Sequence, residues 1–274
     1  MGCTTGAKIL DNGHTVVVFK NKDFKKMSHN DKISMEHTHA FGIRGVDLGT
    51  QQMAGFSIGA NQYGLAAVNS NVLSTSDPPY DLVTERIILE ARTINEAIRI
   101  CENEIQGVRN YQWCNMVIAS PKELAAIELK SSDFAIARSN DFLVRTNHHL
   151  ILNTTEEVLN SDPNKGLREI KNSEFRYKNA KTMLRDVSGV NDILSLLKLH
   201  QEEASICRHG QNTIQDLGFR TVYSYIVTIQ MKKHPQLYFD VVKGPPCMSS
   251  FTRFKLDFPL NDSVQKEIYS GYPA

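Results

Sequence analysis

Short segments rich in β-branched residues alternate with longer segments in which apolar residues recur at helical spacing. The strand-like segments are residues 14–20, 41–46, 54–59, 64–70, 114–119, 124–130, 134–138, 142–146, 221–230 and 236–242. We predict strands there because branched and aromatic side chains fit the pleated surface of a sheet. Turn residues separate most of these segments.

Helical spacing of apolar residues predicts helices over residues 80–106, 173–187 and 190–200. Within the first of these, Thr93 and Asn95 are residue types that begin helices, so a second helix can start there. The strands come in runs and do not alternate strictly with helices. This arrangement indicates an α+β fold.

The stretch 153–172 interrupts this pattern, because it is polar and contains Pro163 and Gly166. We predict that it forms a long surface loop or a weak boundary. The chain has 274 residues, which allows one large domain or two small ones.

Charge and hydropathy exclude several classes of partner. Lys and Arg total 31, Asp and Glu total 30, and the net charge of +1 provides no field that would attract nucleic acid or an anionic membrane. No apolar stretch is long enough to span a bilayer, and the N-terminus lacks the apolar core of a secretory signal. We therefore expect a cytoplasmic protein without nucleic-acid or membrane partners. Four lysines lie close together around Asp23, and we predict that they form a solvated strand end and loop; they are Lys20, Lys22, Lys25 and Lys26.

The cysteines and histidines suggest neither a metal site nor a disulfide framework. The five cysteines are Cys3, Cys101, Cys114, Cys207 and Cys247. Their number is odd, their spacing is wide and no CxxC pair occurs, so we expect no metal and no cofactor. His37 and His39 lack an evident third ligand. Adjacent residues point in different directions, so the Cys207–His209 block predicts a structural or substrate-lining segment and no catalytic dyad.

The tripeptide Met1-Gly2-Cys3 is the strongest chemical signal in the chain. Removal of Met1 and Gly2 would make Cys3 N-terminal, so that one residue holds both a thiol nucleophile and an amine base. An α-amine titrates at about 7.7–8.0 and a thiol near about 8.5, so proton exchange between them is easy near neutral pH. Two alternatives are a frayed terminus and lipidation, although Gly6 stands where the lipidation motif has Ser or Thr.

Several sequence blocks occur in a family-specific order along nearly the whole chain. They are Gly2–Thr5, Lys20–Phe24, Gly59–Leu65, Asn69–Asn71, Arg145–His149, Ser173–Tyr177, Ser205–His209 and Gly244–Cys247. With these blocks the chain resembles the acyl-coenzyme A:6-aminopenicillanic-acid acyltransferase family. That family is related to choloylglycine hydrolases and penicillin V acylases within the N-terminal-nucleophile hydrolases.

The resemblance implies a four-layer αββα sandwich that forms one domain over residues 1–274. It also implies self-processing, in which Cys3 attacks the carbonyl of Gly2 and the Met1-Gly2 leader is released. The rest of the chain would then remain in one piece.

Roles for five residues follow from the resemblance. Cys3 would be the nucleophile, and Asp23 would bind its freed α-amine. Asn147 and Asn71 would donate to the oxyanion of the transition state. Arg176 would be a cation near the sulfur that lowers the pKa of the thiol.

The residues themselves leave other roles open. Asp23 can be an ordinary turn residue, and Asn147 a loop residue that binds its own backbone. Asn69 lies two positions from Asn71 and competes for its role. Arg176 can be a solvated helix residue paired with Glu174.

The implied activity is hydrolysis of an amide C–N bond in a small molecule through a thioester on Cys3. One alternative is an acyltransferase that passes the acyl group from an amide or acyl-CoA donor to an amine. Another is a non-enzymatic binding protein, or one tethered to a membrane through an acylated Gly2. Homo-oligomerisation and the identity of the substrate stay open.

Overall fold

Two antiparallel sheets form the centre of the structure, which is a computed structural model. It describes residues 2–25, 30–46, 50, 52–106, 110–161, 163–201, 204–210 and 217–273, with the side chains of 163–165 excluded. The strands are β1 (Gly2–Leu10), β2 (Thr15–Phe24), β3 (Ile33–Ser34), β4 (Ala40–Val46), β5 (Met53–Asn61), β6 (Ala66–Leu73), β7 (Tyr111–Ala119), β8 (Leu124–Ser131), β9 (Asp133–Ser139), β10 (Phe142–Arg145), β11 (Arg220–Met231), β12 (Pro235–Lys243) and β13 (Thr252–Leu256). The helices are α1 (Asp81–Glu90), α2 (Ile94–Gln106), α3 (Thr155–Ser161), α4 (Pro163–Asp186), α5 (Val190–Leu197) and α6 (Asp262–Gly271).

The first sheet has six strands in the order β10-β1-β2-β11-β12-β13, and the second has seven in the order β3-β4-β5-β6-β7-β8-β9. β1 therefore lies inside its sheet, between β10 and β2. Its pairing with β2 covers the whole strand, whereas its pairing with β10 stops at Thr5 opposite Arg145. The first residues of β1 are thus open on one side to groups from other elements.

Successive side chains of β2 point to opposite faces of the six-stranded sheet, and this alternation shows how the sheets and helices are layered. Val16 and Val18 point into the core between the two sheets, whereas Val17 and Phe19 pack against α4 and α5 on the outer face. Helices α1 and α2 cover the outer face of the seven-stranded sheet. The result is the αββα sandwich, so the predicted fold class is confirmed. Among the described residues, no helix is long and apolar enough to cross a membrane.

The prediction of a loop over residues 153–172 is wrong. The structure places α3 and the first turns of α4 there. Pro163 is the first described residue of α4. Gly166 allows close helix contact, since a Cβ there would lie 3.2 Å from the Cα of Leu159. A polar stretch with Pro163 and Gly166 is therefore helical here, and Gly166 lets α4 pack closely against α3.

Candidate active site

Cys3 lies near the start of β1 and is completely buried. It pairs with Lys22 of β2. On its other side, beyond the last pair with β10, the chain continues into the turn that contains Asn147. The backbone N–H of Cys3 donates to Oδ1 of Asn147 at 2.8 Å.

Arg176 of α4 joins the same cluster from the helical layer. Its Nη2 donates to Oδ1 of Asn147 at 2.8 Å, and its Nη1 donates to the carbonyl oxygen of Cys3 and to Oγ1 of Thr4. Nε donates to Asn172 at 2.9 Å, so the guanidinium is held along its length. The side chain is only 2% exposed, which rules out a solvated helix arginine.

Further hydrogen bonds fix the orientation of Asn147. Its backbone N–H donates to Oγ of Ser173 at 2.7 Å, and its Nδ2 donates to the carbonyl oxygen of Asn71 at 2.7 Å. The buried carboxylate of Glu128 accepts the backbone N–H groups of residues 150–152 and pairs with Arg145, which fixes the turn on both sides. Ser173 stands in one of the sequence blocks without an assigned role, and Glu128 stands in none, because only the fold brings both to this turn.

Asp23 lies on β2 directly opposite Gly2. It is completely buried; its Oδ1 accepts from Thr221 at 2.9 Å, and its Oδ2 lies 3.6 Å from Nη1 of Arg208. Within the described part of the chain, Oδ2 has no hydrogen-bond donor. Burial raises the pKa of this carboxyl, while Arg208 and Arg176 oppose that rise.

Gly2 fits tightly beside this ion pair. A Cβ at position 2 would lie 2.7 Å from Nη1 of Arg208 and 3.2 Å from Oδ2 of Asp23. Any larger residue would therefore displace the guanidinium. The carboxylate of Asp23 therefore faces Gly2, the residue before Cys3, whereas the backbone nitrogen of Cys3 donates to Asn147.

The prediction that the lysines around Asp23 are solvated is wrong for two of them. Lys20 and Lys22 are 0% and 1% exposed, whereas Lys25 is exposed and Lys26 lies outside the described residues. The alternation that points Val16 and Val18 into the core also points these two lysines inward. Extending that period of two through the polar end of the strand would have found them.

Lys20 is the cation that most strongly affects the thiol. Burial raises the pKa of Cys3, and the positive charge of Lys20 is the largest influence in the opposite direction. The ammonium group is itself held by the carbonyl oxygens of Asn69 at 2.8 Å and Ser57 at 3.3 Å. Burial lowers the pKa of Lys20, and the thiol opposes that fall.

A cavity of about 320 Å³ reaches Asn71 and Asn147 from the surface. Part of its wall comes from α3 and α4, the stretch predicted to be a loop; these residues are Val158, Ser161, Gly166, Glu169 and Ile170. The side chain of Asn71 donates to Oγ of Ser74 at 3.2 Å. By contrast, Asn69 donates to Phe56 and Asp81 in the interior, which separates the two asparagines.

The structure thus gathers Cys3, Asn71, Asn147 and Arg176, and it places Asp23 beside the residue before Cys3.

The family model described as acyl-coenzyme A:6-aminopenicillanic acid acyl-transferase matches residues 10–233 of this chain. The chain belongs to this family. As a member, it is an enzyme of the amide hydrolase and acyltransferase class. No curated protein matches the chain in sequence.

Solved structures of related enzymes have a similar fold. An N-acylethanolamine-hydrolyzing acid amidase ortholog from Caenorhabditis elegans is 13% identical to this chain. The match covers 81% of this chain and 91% of the amidase, with a TM-score of 0.50. A mutant of the conjugated bile acid hydrolase from Clostridium perfringens is 11% identical, covers 92% and 96%, and has a TM-score of 0.49. Likeness at this level of identity concerns the fold. The family match begins after Cys3, so the assignment of the nucleophile depends on the geometry of the site.

Proposed function

We propose that this family member is an amide hydrolase whose nucleophile is Cys3, freed by cleavage of the Gly2–Cys3 peptide bond. The observation that carries the proposal is the convergence of fixed polar groups on that bond. Asn147 holds its nitrogen, Arg176 holds the next carbonyl, and Asp23 faces Gly2.

Cleavage of the Gly2–Cys3 peptide bond requires only water and the groups that lie at that bond. The sulfur of Cys3 attacks the carbonyl carbon of Gly2, the C–N bond breaks, and the nitrogen takes a proton to become the α-amine of Cys3. Water then hydrolyses the thioester, which releases a carboxylate that ends in Gly2 and restores the thiol. The tight fit of Gly2 beside Arg208 supports this step, because the acyl group that leaves must be small.

Departure of Gly2 changes the role of Asp23. The freed α-amine is then a neighbour of a buried carboxylate oxygen that accepts no hydrogen bond in the described residues. A protonated amine would satisfy that oxygen, and Oδ1 of Asn147 already binds the same nitrogen. The amine can take the thiol proton and later return it to the leaving amine of the substrate.

Asn147 and Asn71 are the proposed donors to the oxyanion. An amide NH₂ has two hydrogens, and at Asn147 one of them goes to the carbonyl oxygen of Asn71. The other is available to substrate from the cavity that both residues line. Asn71 would contribute its own NH₂ by exchanging Ser74 for the oxyanion.

Acyl transfer to an amine acceptor is the second candidate, and the description of the family favours it. Both reactions share the thioester on Cys3 and differ only in whether water or an amine attacks it. The cavity is of a size that accepts a small acyl group. We therefore propose a small-molecule amide or acyl donor as substrate in either case.

Replacement of Cys3 tests the proposal most directly. Wild-type protein should have an intact mass that begins at Cys3, and it should release acid from small N-acyl amides. Cys3→Ala should retain Gly2 and lose the activity, because no thiol remains to attack either bond. Cys101→Ala is the matched control, since that thiol is also buried but lies on the inner face of α2, in a different apolar cluster.

Two outcomes would contradict the proposal. If Cys3→Ala lost Gly2 as wild type does, an aminopeptidase would be responsible for the cleavage. If Cys3→Ala kept its hydrolytic activity, the nucleophile would lie elsewhere. Added amines separate the two reactions, because an acyltransferase would form new amide at the expense of free acid.

A further inference from the structure

Two histidines and two cysteines converge at a site away from Cys3. They are His200 after α5, Cys207 and His209 in the segment before β11, and Cys247 in the turn after β12. One ligand atom from each lies within 4.8 Å of all the others. His200 and Cys247 are exposed, His209 is partly exposed and Cys207 is buried, so the cluster opens to solvent on one side.

Four of the six distances between these atoms are close to the edges of a metal tetrahedron, and the other two are at most 4.8 Å. The two sulfurs are 3.4 Å apart, and the Nε2 atoms of His200 and His209 are also 3.4 Å apart. Nε2 of His209 lies 3.1 Å from Sγ of Cys247 and 3.8 Å from Sγ of Cys207. Zn–S bonds of about 2.3 Å and Zn–N bonds of about 2.0–2.1 Å give tetrahedral edges of roughly 3.3–3.8 Å.

The backbone fixes this arrangement. Arg208 and His209 run beside the start of β11, where Thr221 N–H donates to the Arg208 carbonyl at 2.9 Å and His209 bridges to Arg220. Cys207 and His209 point together, since Sγ and Nε2 are 3.8 Å apart, whereas Arg208 between them points to Asp23. The sequence argument against a catalytic dyad in this block concerned adjacent residues, and Cys207 and His209 are two apart.

We propose that His200, Cys207, His209 and Cys247 bind one Zn²⁺ ion in a closed Cys₂His₂ site with a structural role. Four protein ligands leave no open position for substrate or water, as in structural zinc sites. Soft thiolate with imidazole selects zinc over calcium or magnesium, which prefer oxygen. The wide sequence spacing hid this site, since its ligands come from three separate segments.

Zinc binding would have two consequences for this part of the protein. Binding of the metal replaces the thiol protons, which are released to solvent. The ion would hold the segment that carries Arg208, so it would position the guanidinium beside Asp23 and Gly2 without touching the substrate.

Metal analysis of the purified full chain tests the proposal. Protein produced with added zinc and then freed of unbound metal should retain one zinc per chain. Cys247→Ser and His200→Ala should lose most of it, and both fold because these side chains are exposed. Co²⁺ in place of zinc should give the visible bands of tetrahedral cobalt and a thiolate charge-transfer band, and both should disappear in Cys247→Ser.

The controls separate this site from the nucleophile. Cys3→Ala should keep its zinc, whatever becomes of its activity, and so should His37→Ala, which removes an exposed histidine of the other sheet. A chelator should lower the melting temperature of wild type and leave that of Cys247→Ser unchanged. Full zinc content in Cys247→Ser, or loss of zinc in Cys3→Ala, would overturn the proposal. Wild-type protein without zinc and lighter by two hydrogens would assign a Cys207–Cys247 disulfide instead.

Discussion

Cys3 and the Cys207–Cys247 pair illustrate two opposite environments for a thiol. Cys3 is buried among fixed cations and amides, with Lys20 as the largest electrostatic influence that favours its thiolate. Cys207 and Cys247 lie at a rim between two imidazoles, and His209 contacts both sulfurs. A thiolate has a reactive lone pair in both places, but among these three cysteines our proposal assigns oxyanion donors to Cys3 alone.

The remaining cysteines show what burial alone does. Burial raises the pKa of Cys101 to about 12, and it raises that of Cys114 well above its usual range. Cys101 lies on the buried face of α2, in the apolar core. We therefore expect the reactivity of each thiol to depend on the polar groups beside the sulfur more than on its burial.

The largest effect is expected at Asn147. Asn147→Ala removes the proposed oxyanion donor, which typically costs about 2.7–4 kcal/mol of barrier, so kcat should fall roughly a hundredfold or more. KM should change little, because the donor acts on charge that exists only in the transition state. Steady-state kinetics on a small N-acyl amide measure both constants.

Asn147→Asp supplies the matched variant. Its carboxylate keeps an acceptor for the Cys3 nitrogen and for Arg176 but lacks the NH₂ donor. An equal loss of kcat in both variants assigns the effect to the donor. If kcat held and KM rose, Asn147 would bind substrate without stabilising the oxyanion.

A smaller effect is expected at Lys20. Burial raises the pKa of the Cys3 thiol, and Lys20 is the cation that most opposes this rise. Lys20→Met removes that cation, so the pKa of the thiol should rise further. The thiolate fraction at a given pH falls about tenfold for each unit of that rise. The acid limb of the rate–pH profile should therefore move to higher pH. Lys20→Arg keeps the charge and should give the wild-type profile. An unchanged profile in Lys20→Met would show that Lys20 does not influence the pKa of the Cys3 thiol.

Sequence patterns were most informative where one local rule applied. Enrichment in β-branched and aromatic residues identified most strands, and helical spacing identified α1, α2 and α5 with a small error in bounds. β13 was missed, because its five residues, Thr252–Leu256, carry a short pattern. β1 was missed for another reason: Gly2–Gly6 is small and polar, and its burial comes from neighbours distant in sequence.

The candidate site was predictable only in part. The family blocks selected Cys3, Asn71, Asn147 and Arg176, and the fold brings these together. The blocks did not indicate that Lys20 is buried or that Arg208 faces Gly2, because both depend on which side of an extended segment each residue occupies. The zinc ligands were hidden for a related reason, since three turns of the chain have to meet before they form one cluster.

The smallest effect, and the sharpest test of the contrast, is alkylation of the individual cysteines in processed wild-type protein. Near neutral pH, Cys3 should react fastest because its proton can pass to the freed amine, and activity should fall in step with its labelling. Cys247 is exposed but held by zinc in our proposal, so a chelator should raise its labelling several-fold and leave that of Cys3 unchanged. Cys101 should stay unlabelled in both conditions, and peptide mass spectrometry over time reports all sites at once.

Two outcomes would contradict these expectations. Loss of activity that follows labelling of Cys101 or Cys207 would place the reactive thiol elsewhere. Equal labelling of Cys247 with and without chelator would show that no metal protects this thiol.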